Sequence, residues 1–244
     1  MNPLKSVFLS TGDWADQENI SHDSFETIGS TNDQSKTLSL DIDFYRSPKL
    51  ILANHQTHGR GRSKNQWVSP APNSALFCSW TFDLHKPPQP ITPPLIGLSV
   101  FDSLKKVWPN VAFSIKAPND IYIKNKKVAG ILIESIQKGD HHRLVIGIGL
   151  NVLSAPKELT DSTCLLENLT EFLTVDLWNQ FLDELYKNLR RYVKLSTDSE
   201  LDTADRMMIK KALSACPYYS NEIMDISPKG DIIFEDKTIP WQDL

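Results

Sequence analysis

Apolar positions recur along this chain with two different periods. In ALFCSWTFD (75–83), Leu76, Cys78, Trp80 and Phe82 alternate with Phe77, Ser79 and Thr81. A period of two predicts a strand. LILANH (50–55) predicts a short buried strand. Four apolar runs follow further on: AFSIK, DIYI, VAGILIES and RLVIGIGLNV. The breaks KNKK and QKGDHH are short and polar, so these runs predict a meander closed by hairpin turns.

Elsewhere the period is helical. The proline cluster KPPQPITPP (86–94) predicts a loop, after which Leu95, Leu98, Phe101 and Leu104 mark a helix. Val175, Trp178, Phe181, Leu182, Leu185, Leu189 and Tyr192 mark one face of a long amphipathic helix, with Thr174 as its N-cap. A second helix is predicted over 199–214. The tail, SNEIMDISPKGDIIFEDKTIPWQDL, returns to strand chemistry around a turn at Lys229-Gly230. Roughly the first 20 residues are read as an extra strand or an arm. Together these elements predict an α/β or α+β chain with a largely antiparallel or mixed sheet. A boundary falls near residue 215, and the tail beyond it is too short for a core of its own.

Composition narrows the function. The 244 residues are 40% hydrophobic and carry a net charge of −4, which argues against a general nucleic-acid or membrane binder. Cys78, Cys164 and Cys216 are far apart with no CxxC pair, as fits a reducing, cytoplasmic setting. No apolar run approaches the roughly 20 residues of a membrane helix. The N-terminus lacks the regions of a signal peptide. Six histidines give only an i,i+3 pair, His55 and His58, and the doublet His141-His142. Three or four convergent ligands are needed for a metal site, so no metal fixed by His or Cys is expected.

Against that acidic background, HGRGRSKNQWVSP (58–70) concentrates cations. Gly59 and Gly61 let the backbone bend, and Arg60 and Arg62 offer planar forks for phosphate or carboxylate oxygens. Such a loop is expected to be poorly ordered when empty, with Trp67 free to stack on a flat ligand ring. A solvated basic turn anchored by Trp67 is the plainer reading. Two further segments add weight. IKAPNDIYIKNKKVAGILIES carries Lys116, Asn119, Asp120, Lys126, Lys127 and Gly130. VIGIGLNV sets Gly147 and Gly149 alternately in an apolar strand, where glycine marks a close approach.

In order and spacing, STN (30–32), Gln56, GRGR (59–62), Trp67 with SP, KAPND (116–120), KKVAGILIE (126–134) and GIGLNV (147–152) resemble the catalytic domain of biotin protein ligases over residues 25–155. The likeness resumes at ISPKGDIIFEDKTIPW, which resembles the end of the family's small SH3-like domain. The resemblance implies an α+β fold related to class II synthetases, with a mixed, mostly antiparallel sheet flanked by helices. It implies a catalytic domain over 1–214 and a shortened β domain over 215–244. It implies activation of biotin by ATP with magnesium to biotinyl-5′-AMP, then transfer to a lysine of a biotin carboxyl carrier domain, such as that of acetyl-CoA carboxylase. A monofunctional ligase without a DNA-binding domain is expected, able to pair as a homodimer through a sheet edge.

On that resemblance the site residues follow. Arg62, Lys127 and Asp120 are assigned to catalysis. Ser30, Thr31, Asn32, Gln56, Gly59, Arg60, Arg62, Lys127, Gly130, Gly147 and Gly149 are assigned to biotin, the glycines as a floor for its rings. Arg60, Trp67, Lys116, Asn119, Asp120 and Asn151 are assigned to ATP and the adenylate, with magnesium near Asp120. Ala117 and Ser63-Lys64-Asn65 depart from the family pattern, which has a tryptophan at the first and a more basic, glycine-containing run at the second. Two alternatives share the fold: a catalytically degenerate biotin-binding protein, and a ligase acting on lipoate or octanoate.

Overall fold

The computed structural model describes residues 2–40 and 48–244. Its centre is a seven-stranded sheet built from β1 (His22–Ile28), β2 (Lys49–Gln56), β3 (Ala75–Leu84), β4 (Phe113–Lys116), β5 (Asp120–Ile123), β6 (Lys126–Lys138) and β7 (His141–Asn151). The strand order is β1-β2-β3-β7-β6-β5-β4. β1 runs parallel to β2, and every other neighbouring pair is antiparallel. The mixed, mostly antiparallel sheet is therefore as expected, and the four-run meander is β4 to β7.

One face of the sheet is covered by α1 (Val7–Gln17), α3 (Thr92–Val107) and α4 (Val175–Leu195). Leu76, Cys78, Trp80 and Phe82 enter the core on this side together with Trp178, Phe181 and Leu185. Thr174 caps α4, its side chain accepting from Leu177 N–H at 3.3 Å. α5 (Thr203–Ser214) packs beside α3 and β4. The other face carries α2 (Thr31–Ser39) alone among the helices described, over β2, β3, β6 and β7.

Three elements differ from the sequence reading. Roughly the first 20 residues, read as an extra strand or an arm, contain helix α1 instead. Val7, Phe8, Thr11, Trp14 and Ala15 fall on one helical stripe, and Ser6 caps it by accepting from Leu9 N–H. Trp14 is 2% exposed and donates from Nε1 to Asp183 of α4. α5 begins at Thr203 rather than 199, because Asp202 provides the cap. α3 begins at Thr92, inside the proline cluster, whose last prolines sit in the first turn where no N–H is required.

The tail forms a small antiparallel sheet of β8 (Asp225–Ile226), β9 (Ile232–Ile233) and β10 (Thr238–Ile239). Gly230 turns the chain between β8 and β9 at φ +88, a left-handed position that glycine takes without steric penalty. Ile226, Ile232, Phe234 and Trp241 join the same hydrophobic cluster as the central sheet, which is how so short a segment is stabilised.

Candidate active site

The α2 face of the sheet is short of side chains where β3, β7 and β6 cross. Phe77, Gly149 and Gly130 lie in one row across the three strands, and Ser79, Gly147 and Leu132 lie in the next. A Cβ on Gly130 or Gly149 would come within 2.7 Å of the Trp67 ring, and one on Gly147 within 2.1 Å of Asn32 Oδ1. The glycines thus let two side chains rest on the sheet backbone. The Trp67 indole occupies the floor over Gly130 and Gly149 that the sequence reading assigned to a ligand ring.

Around this floor is a cleft of about 680 Å³, partly open to solvent, whose lining includes Ser30, Gln56, Arg62, Asn119, Asp120 and Lys127. One wall is the start of α2. Ser30 caps the helix, and Thr31 N–H donates to Gln56 Oε1 at 2.8 Å. Ser79 Oγ lies 2.8 Å from Thr31 Oγ1 and 2.6 Å from Asn32 Oδ1. Asn32 Nδ2 donates to Leu132 O and to Glu134 Oε2. Up to the Glu134 carboxylate at its far end, this wall is a chain of uncharged groups with fixed directions, suited to a neutral polar ring.

The loop from Gly59 to Trp67 forms a second wall. It was expected to be ordered only around a ligand, yet it has its own hydrogen bonds. Trp67 N–H donates to Gly59 O at 2.9 Å, and Gly61 N–H donates to Asn65 O at 2.8 Å. Its tip is a short 3₁₀ turn over Arg62–Lys64, with Ser63 at φ 52, a left-handed conformation that is strained for any residue but glycine.

The two loop arginines have different partners. Arg60 bonds to Asp33 Oδ1 and to both oxygens of Glu134. Lys36 bridges the same two carboxylates at 3.1 and 2.9 Å. Burial works against the charge on Asp33, but Lys36 and Arg60 outweigh it, so its pKa lies below the usual carboxylate value. The same holds for Glu134, where burial is opposed by Lys36, Asn32 and Arg60. Arg62 points its Nη2 at Gln242 O, 3.0 Å away.

The third wall carries Lys127, whose ammonium lies 2.7 Å from Asp120 Oδ1 and 5.3 Å from the Trp67 ring centroid. Asn119 is held by a reciprocal pair, its Nδ2 donating to Ile131 O and Ile131 N–H donating to Asn119 O. Cys78 also borders the cleft. Burial pushes its thiol up to about 12, so it is no thiolate nucleophile at neutral pH.

Most of the predicted site residues meet in this cleft, including Thr31, Asn32, Arg60, Trp67 and the three glycines of the sheet. Three do not line it. Lys116 sets its ammonium over Tyr218 and Tyr122, at 4.2 and 5.3 Å from the ring centroids. Gly59 packs against Trp67. Asn151 is 2% exposed and donates to Thr163 O, in a smaller recess behind Trp67. Among the described residues, no three His, Cys, Asp or Glu side chains converge as a cation site. Asp120, assigned to magnesium, has its carboxylate paired with Lys127.

Sequence reasoning missed Asp33, Lys36, Glu134 and Ser79. Two signals were available. Asp33 and Lys36 form an i,i+3 pair directly after STN, and Glu134 shares a strand face with Gly130 and Leu132.

Residues 24–151 match the model of the biotin/lipoate A/B protein ligase family. The chain belongs to that family. A biotin–protein ligase of Schizosaccharomyces pombe is 26% identical over 224 residues, covering 81% of this chain and 34% of the relative. A biotin–[acetyl-CoA-carboxylase] ligase of Mycobacterium tuberculosis is 34% identical over 123 residues, covering 48% of this chain and 45% of the relative. The chain thus spans less than half the length of these curated relatives. Among solved structures, the biotin protein ligase from Aquifex aeolicus in complex with biotin and ATP superposes with a TM-score of 0.65 at 25% identity, covering 91% of this chain and 97% of that one.

Proposed function

We propose that the protein is a biotin protein ligase, joining biotin to ATP and passing the acyl group to a lysine of a biotin carboxyl carrier domain. One observation carries this reading: Arg62 from the loop and Lys127 from β6 border a single cleft that also has an uncharged, hydrogen-bonded wall at the start of α2. A carboxylate that attacks an α-phosphate brings two anions together, and repulsion at contact distance is severe outside bulk water. Two cations at one cleft offset it. They stabilise the charge that develops as the new O–P bond forms and pyrophosphate leaves with the electrons of the Pα–O bond.

The roles follow from the contacts. Thr31, Asn32, Gln56 and Ser79 form a neutral polar wall for the ureido ring. Trp67, on its glycine floor, separates that pocket from the recess of Asn151, which is the place for the nucleotide. Lys127 reaches the phosphate by exchanging Asp120 for it. The released Asp120 carboxylate is then free to accept a proton from the attacking lysine amine, as AMP departs from the acyl carbon. Arg60 is already matched by Asp33 and Glu134, so its part is to hold the loop base.

The test is biotin-dependent release of pyrophosphate from ATP, followed by ATP-dependent labelling of a carrier domain. Lys127→Ala should lower the first step about a hundred- to a thousand-fold without shifting Tm. A wild-type protein that released no pyrophosphate with biotin, but did with lipoate or octanoate, would reassign the substrate within the same family. Release with none of the three acids would refute the ligase reading.

A further inference from the structure

The tip of the basic loop touches a part of the chain that no motif joined to it. Besides the bond from Arg62 to Gln242 O, the next residue back makes a contact of its own. The Trp241 indole is 3% exposed, and its Nε1–H donates to Pro118 O at 2.8 Å. Trp241–Asp243 form a 3₁₀ turn, closed by Asp243 N–H donating to Pro240 O at 3.0 Å. One short turn therefore grips Arg62 with one residue and, with its neighbour, the hairpin turn that presents Asn119 and Asp120. Tyr219 adds a second brace, its hydroxyl accepting from Ala117 N–H at 2.7 Å.

The kind of partner matters. Arg60 is held by carboxylates, which offset its charge as they fix its position. Arg62 is held by a neutral carbonyl, which fixes direction and leaves the charge in place. A guanidinium has five N–H donors, and this contact uses one edge of the fork. The rest stays available to an anion in the cleft.

Resting on the ligase reading above, we propose that the Trp241–Asp243 turn is a positioning element for adenylate formation. It pre-aims the Arg62 fork across the cleft and fixes the Asn119–Asp120 turn on the other side. Groups held in place beforehand need no reorganisation when the carboxylate and the α-phosphate approach, and small misplacements are costly in rate.

Two variants of the full chain separate this from a merely structural role. Trp241→Phe keeps the ring in the core and removes the N–H that binds Pro118 O. Asp243→Pro removes the N–H that closes the turn and so loosens the Gln242 carbonyl. Both should lower kcat for biotin-dependent pyrophosphate release about ten- to a hundred-fold, while biotin Kd without ATP and Tm stay near wild type. Because the Gln242 carbonyl acts through Arg62, Asp243→Pro should add little once Arg62→Lys has removed the fork. The inference fails if kcat is unchanged in both variants, if the Asp243→Pro and Arg62→Lys effects multiply in full, or if Tm and biotin affinity fall together with kcat. A wild-type protein silent in the same assay would instead refute the ligase reading.

Discussion

The two faces of the central sheet solve different problems with the same strands. On the helix side, β3 offers Leu76, Cys78, Trp80 and Phe82, and α1, α3 and α4 pack large side chains against them. Trp80 stacks on Tyr186 at 5.2 Å and meets Trp14 edge-on at 6.4 Å. On the α2 side, Phe77 and Ser79 lie opposite Gly149 and Gly147 of β7, and the core there is small: Ala53, Ala75 and Phe77 with Ile28 and Trp67 beside them. Burial stabilises in proportion to apolar area, so the helix side carries most of the fold's stability. The glycine side gives up packing to keep a cleft. A lesion on each face should therefore read out differently.

The largest effect is expected on the helix side. Leu185 of α4 is 1% exposed. Leu185→Ala should destabilise by about 2–5 kcal/mol, from lost transfer energy plus the cavity left behind. The KM for biotin of the remaining folded protein should stay unchanged. Denaturant unfolding and steady-state kinetics on the same sample check both halves. A large change in KM would mean that the two faces are not independent.

Next comes the glycine side. At Gly147 a methyl group would collide with Asn32 Oδ1 at 2.1 Å. That oxygen belongs to the Ser79–Asn32–Glu134 chain, so it cannot move away without breaking bonds. Gly147→Ala should destabilise by about 1–3 kcal/mol and should also weaken biotin binding, measured by calorimetry without ATP. Loss of stability with biotin affinity intact would refute the place proposed for the ureido ring.

This contrast also explains what could be read from the chain. Helix α4 was legible because its apolar stripe is long and its cap, Thr174, lies just before it. The meander was legible because alternation survives in each strand. By contrast, α2 (TNDQSKTLS) has one apolar side chain, Leu38, and β1 is half exposed, so neither has a strong period. In the site, residue types and spacing marked the loop, Lys127 and the glycines. Pairings could not be read, since they depend on folding. Arg60 meets Glu134 across 74 positions, and Arg62 meets Gln242 across 180. Nothing local distinguishes one arginine of GRGR as an anchor and the other as a fork pointed at the cleft.

The smallest effect concerns a flaw in the helix layer. Tyr192 of α4 has one hydroxyl proton, yet its oxygen lies 3.2 Å from Asp102 Oδ2 of α3 and 3.4 Å from Asp205 Oδ1 of α5. Arg191, 3.6 Å from Asp205, is the nearby cation. Burial pushes the Asp102 carboxyl up to about 6; the Tyr192 hydrogen bond pulls it down, and the Asp205 charge adds to the rise. Burial likewise raises Asp205, with the charge of Asp202 adding to it. A carboxyl raised in the folded state favours its protonated form there. The stabilisation is complete below the ordinary value of 3.8 and is lost as pH climbs through about 6. Asp102→Asn keeps the shape and never ionises. It should therefore raise Tm at pH 8, by no more than about 4 °C because the group is partly solvated, and the gain should vanish near pH 4. Thermal unfolding of both proteins at the two pH values decides it. An equal gain at both would trace the effect to packing instead of charge, and would leave the helix layer without a titrating weak point to set against the cleft.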